Sequence, residues 1–567
     1  MTYDADAIII GAGGGGPVAA KALGELGLKT LLLEAGPWYG HKKWPRPNEE
    51  RGPQGDNNPA NLSSELLRKC FTDNEDDMNN YVTGKFRWGH ADRNRPPWFR
   101  YIPSGGFIWQ SSGVGGTTLL YFANSPRAFP GAVDDLWPIS YRTLLPYYEK
   151  VEATLPVVAA PMTAKEELFF FGAQKAGWPR LKTRNVTSPG YRPQPNAIFS
   201  PPPQITDLQY KFNGAETGCT LRGHCINGCS IGPTVAKTAK RSTFASYVPL
   251  ALNTGAVEIR PNTFVTRILT ATEKGSLVAT GVSFRDTWTG HTGELNAKVV
   301  IVAAGAIETP RLWHNSHLPY NPWVGKGLTN HWFDCISGIF AEQDLMQILG
   351  MPDVKPYVGQ NSAARFDYPG LGVLQGLGLS PGLFASFLYT LSDSYDFLRR
   401  PDPAVPWNFC GKVTGDKLAR LMQDYPRTLS ILLFTDDEVN QHNGVSFSSF
   451  LQDEHGPIPV VTYRPGHKDK QKRDKLAAIA ADILKKAGAK SILRADCAPY
   501  LFAHMQSTMR MGYVVDEDCE TLQVKRLYIA DNSVLNNSLG GPNPTLTTQA
   551  LATRTAEKLA HKYFGGV

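Results

Sequence analysis

The chain has 567 residues, 42% of them hydrophobic and 19% charged. That is long for a single hydrophobic core and too ordinary in composition for a fibre or a linker array. The formal charge of +7 is spread along the chain. The one dense basic run, HKDKQKRDK at 467–475, carries two aspartates and reads as a solvated helix start rather than a nucleic-acid surface.

Eight cysteines in this length do not make a disulfide scaffold. MTYDADAIII has no basic residue ahead of its apolar run, and the run is too short to span a membrane. No secretory signal is therefore expected. The expected compartment is the reducing cytoplasm, with periplasmic export beside a signal-bearing partner left open.

Taken in chain order, the first element is a short apolar strand, Ala7 to Ile10, of the kind buried on both faces of a parallel sheet. GAGGGG follows, placing Gly11, Gly13 and Gly16 on a G-x-G-x-x-G spacing. Gly11 suits the tight turn, Gly13 a close approach to a pyrophosphate, and Gly16 close packing of helix on strand. Pro17 suits a first helical turn. That helix's N-terminus offers free N–H groups to a phosphate. A second strand, Thr30 to Leu33, ends at Glu34, placed to bind ribose hydroxyls. The acid favours an unphosphorylated ribose, as in FAD or NAD, over NADP.

GGFIWQSSGVGGTTLLYFAN at 105–124 has two glycine clusters around a serine pair. NVTSPGYRPQPNAIFSPPP at 185–203 reads as loop because of its prolines. GCTLRGHCINGC at 218–229 brings Cys219, Cys225 and Cys229 within eleven positions. A cluster or metal site, a disulfide and packed free thiols are its three readings. From 368 to 392, YPGLGVLQGLGLSPGLFASFLYTLS has no charge. Its prolines and glycines argue against one spanning helix. It reads as a buried segment or apolar pocket wall, a surface-docking or lid element, or a membrane-associating stretch. Near the end, Leu527 to Ala530 reads as another buried strand ending in Asp531. Thr545 opens a long helix after the break at Pro542, Asn543 and Pro544.

These stretches together resemble the glucose–methanol–choline (GMC) family of flavoprotein oxidoreductases, end to end. Four motifs carry the resemblance: GAGGGG with LLLEAG; SSGVGGTTL with NSPRAFP; VVIVAAGAIETPRL with VGKGLTNHW; and HMQSTMRMG with DNS and GPNPTLTTQALATR. The resemblance implies FAD rather than NAD. It assigns Gly11, Gly13, Gly16 and Glu34 to the ADP half and Ser112, Gly116, Thr117 and Asn124 to the flavin side. Val265 would meet the adenine through its backbone. Asp531, Asn543, Pro544 and Thr545 would meet the ribityl chain and ring. Some members attach FAD through a histidine where this chain has Leu120, so non-covalent FAD is expected.

The same resemblance makes His504 the reactive histidine and Asn543 its partner. Alcohol oxidation removes the hydroxyl proton and passes the carbon-bound hydrogen to flavin N5 as hydride. A histidine can accept that proton, and a neutral amide can orient the substrate oxygen. Ser507 departs from the family's glycine, which puts the backbone geometry beside His504 in question. His331 in LTNHW matches a family histidine with a structural or supporting place.

The implied fold is α/β (α+β). A discontinuous Rossmann-like FAD-binding domain is expected at 1–135, 215–320 and 500–567. A substrate-binding domain at 136–214 and 321–499 is expected to have an antiparallel sheet and covering helices. That sheet is expected to include Thr428 to Phe434, Gly444 to Phe447 and Ile458 to Tyr463, with Lys470 to Lys486 as a covering helix. The expected activity is FAD-dependent oxidation of an alcohol: a sugar, a polyol or a larger apolar alcohol. The alternatives are a flavin-dependent lyase or decarboxylase on this fold, and the FAD/iron–sulfur catalytic subunit of a multi-subunit sugar or sugar-acid dehydrogenase. In that last branch Cys219, Cys225 and Cys229 would hold a [3Fe-4S] cluster. Many relatives without a cluster carry a similar cysteine-rich segment, and packed thiols are the favoured reading here. The expected partners are a small-molecule alcohol and an electron acceptor (oxygen, quinone or a partner protein), with no nucleic acid.

Overall fold

A computed structural model describes residues 3–36, 38, 101–103, 106–202, 217–223, 225, 229, 234, 237–287, 289–389, 391–392 and 412–565. Structural statements below concern these residues.

The apolar runs near the N-terminus build the centre of a seven-stranded sheet. Ala5–Ile10 lies between Thr30–Leu33 and the second half of Thr292–Val302, all parallel. Val257–Arg260 extends the sheet beyond Thr30–Leu33, and Leu527–Ile529 lies on the far side of Val300 to Val302. The central strands Ala5–Ile10 and Thr30–Leu33 are almost wholly buried, which is why their sequences are near-continuous apolar runs. The first half of Thr292–Val302 pairs antiparallel with Ser276–Asp286, which pairs with Thr263–Glu273. Helix Gly16–Glu25 packs on the sheet, with helix Thr545–Phe564 against it.

The second sheet has six strands in the order Ser491–Arg494, Phe333–Ile339, Thr428–Thr435, Gly372–Leu377, Ser362–Tyr368 and Gly190–Pro193. Every pairing is antiparallel. Its alternation separates two faces. Ile336, Leu374, Ile431 and Leu433 pack under helices Ala164–Lys175 and His467–Lys486 with Phe169, Leu476, Ala480 and Ile483. The other face presents Phe333, Cys335, Val373, Leu377, Leu432 and Phe434, joined by Phe384 and Phe387 of helix Pro381–Tyr389. The covering helix begins at His467, three residues before the expected start.

Two expectations change. Gly444–Asp453 and Gly456–Thr462 do not join the large sheet but form a separate hairpin. Its bonds go instead to helix Gly305–Asn315: Arg311 donates to Asp453 (2.5 Å) and to the Gly456 carbonyl (3.0 Å), and Phe447 stacks on His314. The proline-rich stretch at 185–203 is not all loop, because Gly190–Pro193 is the edge strand of the six-stranded sheet. Proline is tolerated at an edge, where the missing N–H costs no ladder bond. The uncharged segment at 368–392 divides into the fully buried strand Gly372–Leu377 and the nine-residue helix Pro381–Tyr389. Among the described residues no helix is long and apolar enough to cross a membrane.

Candidate active site

The carboxyl ends of the parallel strands open into a cleft, where open α/β sheets bind ligands. Gly11, Gly13, Glu34, Ser112, Gly116, Thr117, Val265, Asp531 and Thr545 all line it. Gly11 takes φ +101°, and a Cβ there would meet the Ala303 carbonyl at 2.5 Å. Gly13 is different: no protein atom lies within 4 Å of where its Cβ would be, so its bare backbone faces the cleft. Gly16 does not line the cleft. Its Cβ would lie 1.9 Å from the Gly11 carbonyl oxygen, so it serves helix-on-strand packing.

Glu34 does more than border the cleft. Its carboxylate accepts hydrogen bonds from Ala12 (2.7 Å), Gly36 (2.9 Å) and Gly113 (2.9 Å), joining the glycine turn, its own strand end and the serine-rich loop. Burial raises its pKa, against the pull of those N–H groups. Asp531 acts similarly, accepting from Gly305 N (2.9 Å), Thr309 Oγ1 (2.6 Å) and Ser533 N (2.8 Å).

The cleft suits a dinucleotide. The open face of Gly13, the helix start behind it, and the buried, unpartnered Ser111 hydroxyl beside Ser112 match a long ligand bearing phosphates and many acceptors. Thr545 and Thr548, in the first turn of helix Thr545–Phe564, line the cleft beside Asp531.

Besides Gly16, three of the expected cofactor residues lie outside this lining. Pro544 is the cap position of the last helix. Asn543 makes no side-chain cap bond to that helix; its amide meets His504 Nε2 at 3.3 Å and Gln375 at 2.7 Å. Asn124 also turns away from the cleft. The backbone bends at Ala123 (φ +66°), and the Asn124 side chain reaches the second sheet at Gln375 and Ser362.

His504 and Asn543 therefore come together. Ser507, at the position that departs from glycine, keeps the left-handed conformation that glycine would favour (φ +73°). Its hydroxyl lies 2.9 Å from that of Thr329. Next to His504 is His331, with the two Nδ1 atoms 2.9 Å apart. His331 Nε2 lies 2.9 Å from the Ser538 carbonyl oxygen. A carbonyl can only accept, and the Gln506 amide, 3.3 Å from the same nitrogen, accepts too when turned to present its otherwise unpartnered oxygen; His331 is therefore assigned its hydrogen on Nε2, with Nδ1 bare. His504 then donates from Nδ1, leaving its Nε2 unprotonated beside Asn543. Burial, with Arg365 nearby, lowers the His331 pKa to about 4. Burial and the neighbouring His331 push that of His504 well below its usual value. Both rings are neutral at neutral pH. Phe434 lies against His504 with ring centroids 4.9 Å apart, giving the pair an apolar wall.

The cysteines sit elsewhere, around a small separate cavity with Lys240 and Gln360. Among the described residues no group of three histidine, cysteine or acidic side chains is arranged to hold a metal ion. All three are free thiols. Burial pushes Cys219 up to about 12 and Cys225 up to about 11. Lys240 ties this loop to the flavin-side turn, donating to the carbonyls of Leu119, Tyr121 and Cys225.

Comparisons with known proteins agree with this geometry. Residues 209–333 and 440–552 match the family models described as GMC oxidoreductase. The chain is 27% identical to a 6'''-hydroxyparomomycin C oxidase of Streptomyces lividus, over 98% of this chain and 91% of that protein. It is 24% identical to a 2-methyl-1,2-propanediol dehydrogenase of Mycolicibacterium austroafricanum, over 98% and 95%. The crystal structure of pyridoxine 4-oxidase from Mesorbium loti superposes with a TM-score of 0.59 at 15% identity, covering 98% and 99% of the two chains. The chain is thus similar, through both family models and over nearly its whole length, to the GMC oxidoreductases, a family that depends on FAD.

Proposed function

We propose that the protein oxidises the hydroxyl-bearing carbon of a small-molecule alcohol to a carbonyl, using non-covalent FAD. The observation that carries this reading is the placement of His504, with Nε2 3.3 Å from the Asn543 amide and Nδ1 2.9 Å from His331, whose own Nε2 lies against the Ser538 carbonyl. His504 Nε2 takes the hydroxyl proton, and Asn543 Nδ2–H holds the substrate oxygen. His331 Nδ1 continues to accept from His504 Nδ1, stabilising the imidazolium that forms. When bound, the flavin accepts the carbon-bound hydrogen with its electron pair. Gly11, Gly13, Ser112, Thr117 and Val265 hold the cofactor along the cleft. The start of helix Thr545–Phe564 places its partial positive end beside the bound cofactor. We place the cofactor on the seven-stranded unit and the substrate over the inner face of the six-stranded sheet.

The named relatives act on a sugar-derived hydroxyl and a short diol. A panel spanning paromamine, 2-methyl-1,2-propanediol and long-chain alcohols is therefore the first screen, with anaerobic flavin bleaching as the readout. Replacing His504 with alanine is expected to slow bleaching roughly 10²- to 10⁴-fold; a near-normal rate removes His504 from the mechanism. Acid precipitation is expected to release FAD into the supernatant, since Leu120 offers no attachment; flavin retained in the pellet refutes non-covalent binding.

A further inference from the structure

Gln375 lies on the inner face of the six-stranded sheet and is fully buried. Nε2 of its amide donates to Asn543 Oδ1 at 2.7 Å. Its Oε1 accepts from Asn124 Nδ2 at 2.9 Å and from Ser362 Oγ at 3.1 Å. Asn124 Nδ2 also donates to Ser362 Oγ at 3.2 Å. These contacts continue the chain that begins at Ser538.

An amide can be turned end for end with little change in shape, so the direction of such a chain needs a fixed point. The Ser538 carbonyl is that point, because it can only accept. It sets the hydrogen of His331 on Nε2, which sets that of His504 on Nδ1. The bare Nε2 of His504 then calls for a donor, and Asn543 supplies Nδ2. Asn543 Oδ1 is left facing the second sheet and needs a donor of its own. Gln375 supplies it only while its oxygen is held by Asn124 and Ser362. The reverse direction would set the bare Nε2 of His331 against the carbonyl oxygen, acceptor against acceptor. Arg365, the cross-strand partner of Gln375 on the adjacent strand, adds a buried positive charge that disfavours a doubly protonated His331.

We propose that Gln375 is a positioning residue for alcohol oxidation: braced by Asn124 and Ser362, it holds the Asn543 amide with its N–H groups toward His504 and the substrate oxygen. This rests on the assignment of His504 and Asn543 above. When His504 Nε2 takes the substrate proton it no longer accepts from Asn543, and the Asn543 N–H groups are left for the substrate oxygen. Without Gln375 the amide is free to turn and offer its oxygen instead, which would repel the developing negative charge.

The test combines kinetics and spectroscopy on the FAD-loaded enzyme. Anaerobic flavin bleaching is followed with 2-methyl-1,2-propanediol and 1-dodecanol as probe alcohols. The histidine ring nitrogens of the resting enzyme are read by nitrogen NMR after isotopic labelling, with no substrate needed. Gln375→Met is expected to slow bleaching roughly 10- to 100-fold, and to slow it no further in an Asn543→Ala background. Gln375→Glu keeps the shape. While the introduced carboxyl holds its proton it can still donate to Asn543; once ionised it only accepts. This variant is expected to bleach normally at low pH and to lose rate as pH rises, a limb the wild type lacks.

The resting wild type is expected to show His504 bare at Nε2; an Nε2-protonated His504 overturns the proposal. So does an equal loss from Gln375→Met in both backgrounds, or the absence of a new pH limb in Gln375→Glu. The second variant carries the kinetic test if the first loses its FAD. Normal bleaching by His504→Ala and Asn543→Ala would refute the reaction assignment itself. Slow bleaching by those two, with wild-type behaviour of both Gln375 variants, refutes this inference alone.

Discussion

His331 and His504 face each other Nδ1 to Nδ1 at 2.9 Å, with their rings steeply inclined at 75°. Two neutral imidazoles can share that contact only if one presents a hydrogen and the other a lone pair. The Ser538 carbonyl decides which is which. Replacing His331 with phenylalanine preserves the ring but removes the acceptor. The His504 ring is then free to carry its hydrogen on Nε2, where it cannot take a proton. Flavin bleaching is expected to slow roughly 100-fold or more, with FAD content unchanged. Stopped-flow bleaching over an alcohol concentration series checks this, and an unchanged limiting rate contradicts it.

The same two rings make stability depend on pH. Both are held neutral below the ordinary histidine pKa, His331 down to about 4. In acid the unfolded chain binds protons that the folded chain refuses, so stability is full above pH 6.5 and falls toward pH 4. His331 alone is expected to account for up to about 3 kcal/mol across that window. Denaturant melts of the wild type and of His331→Phe at a series of pH values measure it. The variant should lose less stability on acidification; parallel curves would show that His331 is not the source.

The glycines of the first turn separate cofactor binding from folding. A methyl at Gly13 meets no protein atom, whereas one at Gly16 meets a carbonyl oxygen at 1.9 Å. Gly13→Ala is therefore expected to leave the melting temperature of the FAD-free protein within about 2 °C while weakening FAD retention. Gly16→Ala is expected to destabilise the FAD-free protein by 1–3 kcal/mol or so. Melting and FAD titration of both variants decide the matter, and similar behaviour of the two would refute this division.

Glu34 holds three backbone N–H groups with one carboxylate. Glu34→Gln keeps one acceptor and turns an amide N–H toward a donor. The expected cost is about 1–3 kcal/mol of stability before any cofactor is added. A denaturant melt of the FAD-free variant that matches the wild type would leave only a role in ribose binding.

The sequence pattern disclosed what is periodic or punctuated by glycine. The apolar runs at 7–10, 30–33 and 527–530 announced parallel strands, and the cleft lies at their ends. The hairpin at 444–462 was misplaced because alternation shows that a strand exists without naming its neighbour. Its actual partner is a helix, reached through Arg311 and His314. Asn124 was placed with the flavin side by family resemblance; the bend at Ala123 carries its side chain to Gln375, which also bonds Asn543. Gln375 went unnoticed, yet it left a signal: a lone glutamine inside a long uncharged run. A polar side chain buried in such a strand needs partners, and those partners lie 251 and 168 residues away along the chain.

The strand order of the first sheet also governs the timing of assembly. Ala5–Ile10 must wait for Thr292–Val302, and that strand must wait for Leu527–Ile529. All but one strand of the six-stranded sheet is made in between. As the ribosome releases the chain, the six-stranded sheet can close while the seven-stranded one still lacks its Leu527–Ile529 strand. Stable capture of FAD is then a late event, coming after the substrate-side fold has formed, and a nascent chain stalled before residue 527 should bind it poorly.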